Sequence, residues 1–143
     1  MQNYQNHRSY YTAHHFIFYP LILILAGLCI RFSVIYPEHH FELAGLALVF
    51  IFLGWLSYMM RQHYALGNQN RIIRLEFRLR YFQLTGKTFD ALEEQLTFSQ
   101  IAALRFASDG EVLSLIQEAI DKKLSSGEIK RSIKNWKADF MRV

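Results

Sequence analysis

The sequence predicts an all-α protein: a two-helix transmembrane hairpin, a cytoplasmic helical extension of its second span, and a small helical domain. Three observations carry the prediction. Two long apolar runs fall between residues 16 and 60, and the stretch 43–60 (LAGLALVFIFLGWLSYMM) contains no charged residue. About 18 or more such residues suffice to span a bilayer core as a helix. The second run passes without proline into a basic segment, so its helix has no reason to stop at the apolar boundary. Beyond that segment, capping signals separate short amphipathic runs.

A chain of 143 residues has the length of one domain. The competing reading of the apolar runs is a pair of buried helices in a water-soluble core. Two such runs in so short a chain leave too little polypeptide to cover both, which favours the bilayer as their solvent. The single Cys29 excludes an internal disulfide and a cysteine-based metal site. It lies inside the first apolar run, where a small soft side chain packs well. Leu28 is too bulky for a lipoprotein cleavage box around it.

Residues 1–15 form a polar, aromatic N-terminal tail containing Arg8 and three of the histidines. It lacks the basic cluster and the following small-residue cleavage site of a signal peptide. The first span covers about 16–36. Pro20 falls near its start, where a missing N–H costs little. Arg31 lies close enough to the far end for its side chain to snorkel to the interface, with Glu38 and Glu42 as candidate partners. Pro37-Glu38-His39-His40 is a turn so short that the two spans must run antiparallel. The second span covers about 41–60, and Gly45 and Gly54 permit close approach of the helices. The loop between the spans has no Lys or Arg, whereas Arg61, Arg71, Arg74, Arg78 and Arg80 follow the second span. Positively charged flanks stay on the cytoplasmic side, which places both termini in the cytoplasm.

Residues 61–83 read as a basic juxtamembrane helix. Their Arg74–Tyr81 alternation also suits a strand, but no second strand exists to pair with it, and a lone strand is unstable. As a helix the segment carries two apolar stripes. Ile72, Leu75, Leu79 and Phe82 form one, and Ile73, Phe77 and Tyr81 the other. One stripe is expected to cover the C-terminal helices, and the other to meet the membrane surface or a partner chain. Each arginine near an anionic leaflet contributes roughly 1 kcal/mol of attraction. The candidate lipid or partner contacts are therefore Arg61, Arg71, Arg74, Arg78 and Arg80, with Phe77, Tyr81 and Trp136 as aromatic anchors.

Residues 84–143 read as a cytoplasmic helical domain. Gly86 suits the position after a helix end, and 85–96 reads as a linker. Thr97-Phe98-Ser99-Gln100 and Ser125-Ser126-Gly127-Glu128 are capping boxes. Between them Asp109 is the expected cap of a helix with apolar Val112, Leu113, Leu115, Ile116, Ala119, Ile120 and Leu124. The last helix is expected to present Ile129, Ile133, Trp136 and Phe140 on one face. About 45 residues are marginal as a free domain, so these helices need the 61–83 helix or a partner to complete a core.

The sequence holds no phosphate-binding loop, nucleophile elbow or metalloprotease motif, and its carboxylates, Glu93-Glu94 among them, read as solvated surface groups. No cofactor is predicted and a non-enzymatic role is expected. Two alternatives stand beside it. His14, His15 and His63 all fall at the cytoplasmic end of the hairpin, which is how a bundle ligates haem or a metal. The basic 71–80 segment has the charge, without a recognised module, of a membrane-tethered nucleic-acid binder.

Asn3-Tyr4-Gln5-Asn6-His7, Leu84-Thr85-Gly86-Lys87, Ala103-Leu104-Arg105-Phe106-Ala107 and Ile133-Lys134-Asn135-Trp136-Lys137-Ala138-Asp139, with the closing Arg142-Val143, resemble a family of small bacterial membrane proteins classed as a domain of unknown function. The resemblance covers essentially the whole chain. It implies a bacterial source and a helical hairpin with a cytoplasmic tail, and it implies no activity and no functional residues. With the charge asymmetry, it makes the expected protein a multi-pass subunit of the bacterial inner membrane. Its expected partners are anionic lipid and a membrane protein or a second copy of itself.

Overall fold

The structure, a computed structural model, describes residues 3–6 and 11–139. It is all-α: among these residues no strand forms, and an isolated antiparallel bridge pairs Ala107 with Trp136. The chain divides into two compact units, Tyr10–Gly67 and Asn68–Val143 with Met1–Ser9. His7, Arg8, Phe140, Arg142 and Val143, singled out in the sequence, lie outside the described residues.

In the first unit the helix starts earlier than the hydropathy suggests. A wide π-type turn, Ala13–Phe18, leads directly into α1 (Tyr19–Ile35). Pro20 therefore sits inside a continuous helix, not at its beginning. The wide turn lies where the proline ring would otherwise crowd the carbonyl four residues back. A single 3₁₀ turn, Pro37–His39, connects α1 to α2 (His40–Met59). His40 fastens this connection, with Nδ1 2.9 Å from Ser33 Oγ and 3.2 Å from the Ser33 carbonyl oxygen. A second π-type turn, Met60–Ala65, precedes α3 (Leu66–Thr85), and helical backbone runs unbroken from Pro37 to Thr85.

α1 and α2 pack against each other. The buried residues of α1 are Ile22, Ala26, Cys29 and Ser33, a one-faced seam at alternating intervals of four and three, and α2 contributes Ala47. Small side chains at such a seam let two backbones approach closely. At Gly54 an added Cβ would stand 3.4 Å from Ile22 Cγ2. Most of the remaining surface of both helices is apolar and uncovered: Val34 is 75% exposed, Phe41 88% and Phe52 65%. Arg31 is also exposed, and no ion pair joins it to Glu38 or Glu42 among the described residues.

The second unit begins on α3, which ends at Gly86 in a left-handed conformation (φ 68°), its N–H donating to the Phe82 carbonyl at 2.8 Å. Four short helices follow: α4 (Asp90–Glu93), α5 (Phe98–Leu104), α6 (Val112–Asp121) and α7 (Ser126–Ser132). The core is built from Phe77 of α3 with Phe89, Leu96, Ile101, Leu104 and Phe106, and from the apolar faces of α6 and α7. The stretch read as a linker is thus part of the core, since Phe89 and Leu96 are both buried. Both capping boxes form as expected. Gln100 N–H and Glu128 N–H donate to the Thr97 and Ser125 hydroxyls, and each side chain at the third position accepts from the capping residue's N–H at 2.7 Å.

Two sequence expectations are corrected here. Asp109 does not cap α6; the helix begins after Glu111, and Asp109 faces Arg80 at 2.6 Å. The last helix stops at Ser132, so Ile133 and Trp136 are not on a helix. The chain instead turns extended at Ile133. Ser108 N–H donates to Asn135 O at 3.0 Å, and Lys137 N–H to Phe106 O at 2.7 Å. The cause is the Glu111 carboxylate, which accepts the backbone N–H groups of Asn135 at 3.0 Å, Lys134 at 3.2 Å and Ser108 at 3.3 Å. Those donors find partners without a further helical turn. Burial pushes the Glu111 carboxyl up, but the three backbone donors outweigh it and hold the group below its ordinary range.

α6 ends in a six-to-one turn: Leu124 N–H donates to Ala119 O at 3.1 Å and Lys123 N–H to Ile120 O at 3.3 Å. Lys123 occupies the left-handed position of that turn (φ 51°), which normally belongs to glycine. Lys123→Gly is therefore expected to stabilise the unit by about 0.5–1 kcal/mol, read as a rise in the unfolding midpoint.

Candidate functional site

α3 organises the second unit, and its two stripes have opposite fates. Ile73 and Phe77 are buried at 5% and 3% exposure, and Tyr81 packs partly buried against the same core. The Phe77 ring meets Phe89 edge-on at 5.0 Å between centroids, and Tyr81 meets it at 5.1 Å. Ile72, Leu75, Leu79 and Phe82 remain 53%, 60%, 58% and 53% exposed. At about 100° per residue the two stripes lie on opposite sides of the helix.

The arginines between the stripes are mostly engaged inside the unit. Glu93, only 8% exposed, receives Arg74 Nη1 at 2.6 Å on one oxygen and Arg78 Nε at 2.5 Å on the other. The Arg78 hydrogen bond, helped by Arg74 and opposed by burial, holds the Glu93 carboxyl below the usual range. Arg80 donates to Asp109 and to the Arg105 and Ala107 carbonyls at 3.2 and 2.6 Å, tying α3 to the end of α5. Its hydrogen bond likewise lowers the Asp109 carboxyl. Arg71 is exposed on the flank of the open stripe. Arg61 lies half-buried in the first unit. Trp136 packs on Phe106 at 5.1 Å between centroids, through the bridge to Ala107.

Of the residues proposed as lipid or partner contacts, the structure therefore places Phe77 in the core and Tyr81 and Trp136 against it. Arg74, Arg78 and Arg80 are placed on internal carboxylates. Arg71 remains beside the exposed stripe. The Glu93 anchor was invisible in the sequence, where Glu93-Glu94 reads as two equivalent surface acids. A cleft of about 470 Å³ lies beside α3, with Arg80, Arg105 and Lys137 in its lining. Each of these cations faces a carboxylate, Asp109 or Asp139.

His14, His15, His39, His40 and His63 are spread along the first unit. His14 Nε2 lies 3.1 Å from Tyr19 Oη and 3.5 Å from Ser57 Oγ, its ring is 5.5 Å from that of His15, and His63 is exposed. Among the described residues no group of three or more His, Cys, Asp or Glu side chains is arranged to hold a metal ion.

A family model matches residues 1–143, the whole length of the chain. The chain belongs to the DUF6526 family, a family of unknown function. No curated protein and no solved structure matches it. Family membership thus assigns no chemistry to the cleft, the histidines or the face of α3.

Proposed function

We propose that the chain is a non-enzymatic subunit of the bacterial inner membrane, anchored by its hairpin and working through contacts with other proteins. Two helices are long and apolar enough to cross a membrane. The observation that carries the reading is their exposure: 22% of one apolar window and 6% of the other is buried. A core helix of a water-soluble protein would be mostly covered, whereas lipid accepts apolar side chains on every face. A loop between the spans without Lys or Arg, against Arg61 and the arginines that follow the second span, supports cytoplasmic termini. Arg61 is the cation this reading assigns to anionic head groups. The exposed stripe of α3, on a unit whose other apolar side chains are largely packed, is the surface assigned to protein contact.

The test is alkaline washing of native membranes, followed by gentle-detergent purification at natural expression level and mass spectrometry. Retention in the washed membranes with a stoichiometric co-purifying chain or a homo-oligomer is expected. Release by the wash removes the anchor; retention as a bare monomer removes the interaction role.

A further inference from the structure

We infer that the exposed stripe of α3 is the seam of a parallel homodimer, and that its occupant is the same helix of a second copy. The proposal rests on the membrane-anchored reading above and names the partner.

The spacing comes first. Ile72, Leu75, Leu79 and Phe82 follow each other at intervals of three, four and three. That is the a–d–a–d pattern of a coiled coil, and the stripe it makes is narrower than the broad apolar face a helix turns to a core. Ile72 at an a position with Leu75 at d is the pairing that favours two parallel strands. The opposite side of α3, through Ile73 and Phe77, is already filled by the unit's own core, so the seam can be occupied without disturbing it.

Charge then selects the occupant. In this heptad Arg71 is a g position and Glu76 the e position of the next heptad, five residues on. In a parallel pair such g and e side chains meet across the seam. Each copy would therefore place its Arg71 on the partner copy's Glu76, twice per dimer by symmetry. Both are exposed, and neither is engaged in the ion pairs that use Arg74, Arg78 and Arg80. An antiparallel arrangement would bring like positions together and lose this match. Two heptads are short for a coiled coil in dilute solution; a shared membrane raises the effective concentration of one copy for the other. An anionic membrane surface fits less well, because an interfacial helix carries basic residues along both flanks of its apolar face, and here Glu76 occupies one of them.

The experiment uses the full chain with Cys29→Ala, reconstituted at low density into phosphatidylcholine vesicles, with Leu75→Cys as the seam probe and Ser114→Cys as an exposed control on α6. Mild oxidation is expected to cross-link Leu75→Cys into dimers at least severalfold more than Ser114→Cys. Arg71→Glu or Glu76→Arg alone should cut that yield severalfold, and the two together should restore it. Equal cross-linking at the two sites, or a double variant no better than the singles, overturns the proposal. So does a fluorophore on Leu75→Cys that is quenched by spin-labelled lipid while no dimer forms, which assigns the stripe to the bilayer surface. Alkaline washing of the same vesicles separates the two ideas: a retained chain without cross-links loses the dimer alone, and a released chain loses the anchor.

Discussion

Phe77→Ala is expected to cost the second unit about 3–5 kcal/mol, the range for deleting a buried aromatic ring. A small domain holds only about 5–15 kcal/mol in total, so the variant should leave the region after Gly86 largely open to proteolysis and hydrogen exchange. Phe77 is the residue through which α3 enters the core, 3% exposed and edge-on to Phe89. The informative comparison is Leu75→Ala, two residues away on the same helix and 60% exposed. In the monomer dispersed in detergent that substitution should move the unit's stability by no more than about 0.5 kcal/mol, as exposed positions do. Helix propensity is not the cause of the expected difference, because replacing phenylalanine by alanine improves it slightly more than replacing leucine does. Proteolysis of the full chain in detergent would read both effects. Equal susceptibility of the two variants would mean that the core does not depend on the buried stripe.

The two stripes of α3 illustrate what a sequence can reveal. Their separation is a matter of helical period, so Ile73 and Phe77 fall away from Ile72 and Leu75 whatever the fold around them. The capping boxes are equally local, since Thr97 with Gln100 and Ser125 with Glu128 act over three residues. The features that escaped depend on distant partners. Glu93 and Glu94 look interchangeable in the chain, yet Glu93 is buried under guanidinium groups supplied 15 and 19 residues earlier. Ile129, Ile133 and Trp136 carry a helical period, and the helix still ends at Ser132. There a carboxylate 23 and 24 residues upstream, that of Glu111, captures the backbone donors of Lys134 and Asn135. Local period loses to a tertiary hydrogen-bonding partner at that point. The same limit applies to the candidate site. The basic character of 71–80 was plain, but which arginines are engaged depends on where Glu93 and Asp109 come to rest.

Glu93→Gln is expected to destabilise the second unit by about 2 kcal/mol at neutral pH. Hydrogen bonds to charged groups contribute about 1.5–3 kcal/mol each. The figure is held to the lower end because Arg74 and Arg78 are 40% and 47% exposed and partly screened by water. Glutamine keeps the size and one acceptor oxygen but not the charge, so two guanidinium groups are left facing a neutral amide. The pH dependence follows from the direction of the shift. Arg78 and Arg74 lower the folded-state pKa of Glu93, so the unfolded chain binds its proton more readily. The stabilisation is complete above the unfolded carboxylate value of about 4.3 and disappears as the pH falls through the lower folded value. The wild-type protein and Glu93→Gln should therefore differ most above about pH 5 and converge in stronger acid. Asp109, Glu111 and Glu128 also have lowered carboxyls and make the whole unit acid-sensitive, so the difference between the two proteins, not either curve alone, isolates Glu93. Glu94→Gln, at the exposed neighbour, should track the wild type throughout. Unfolding free energies measured across pH 3–7 would show it. A deficit in Glu93→Gln that stayed constant over that range would assign its effect to packing and remove the charge from the explanation.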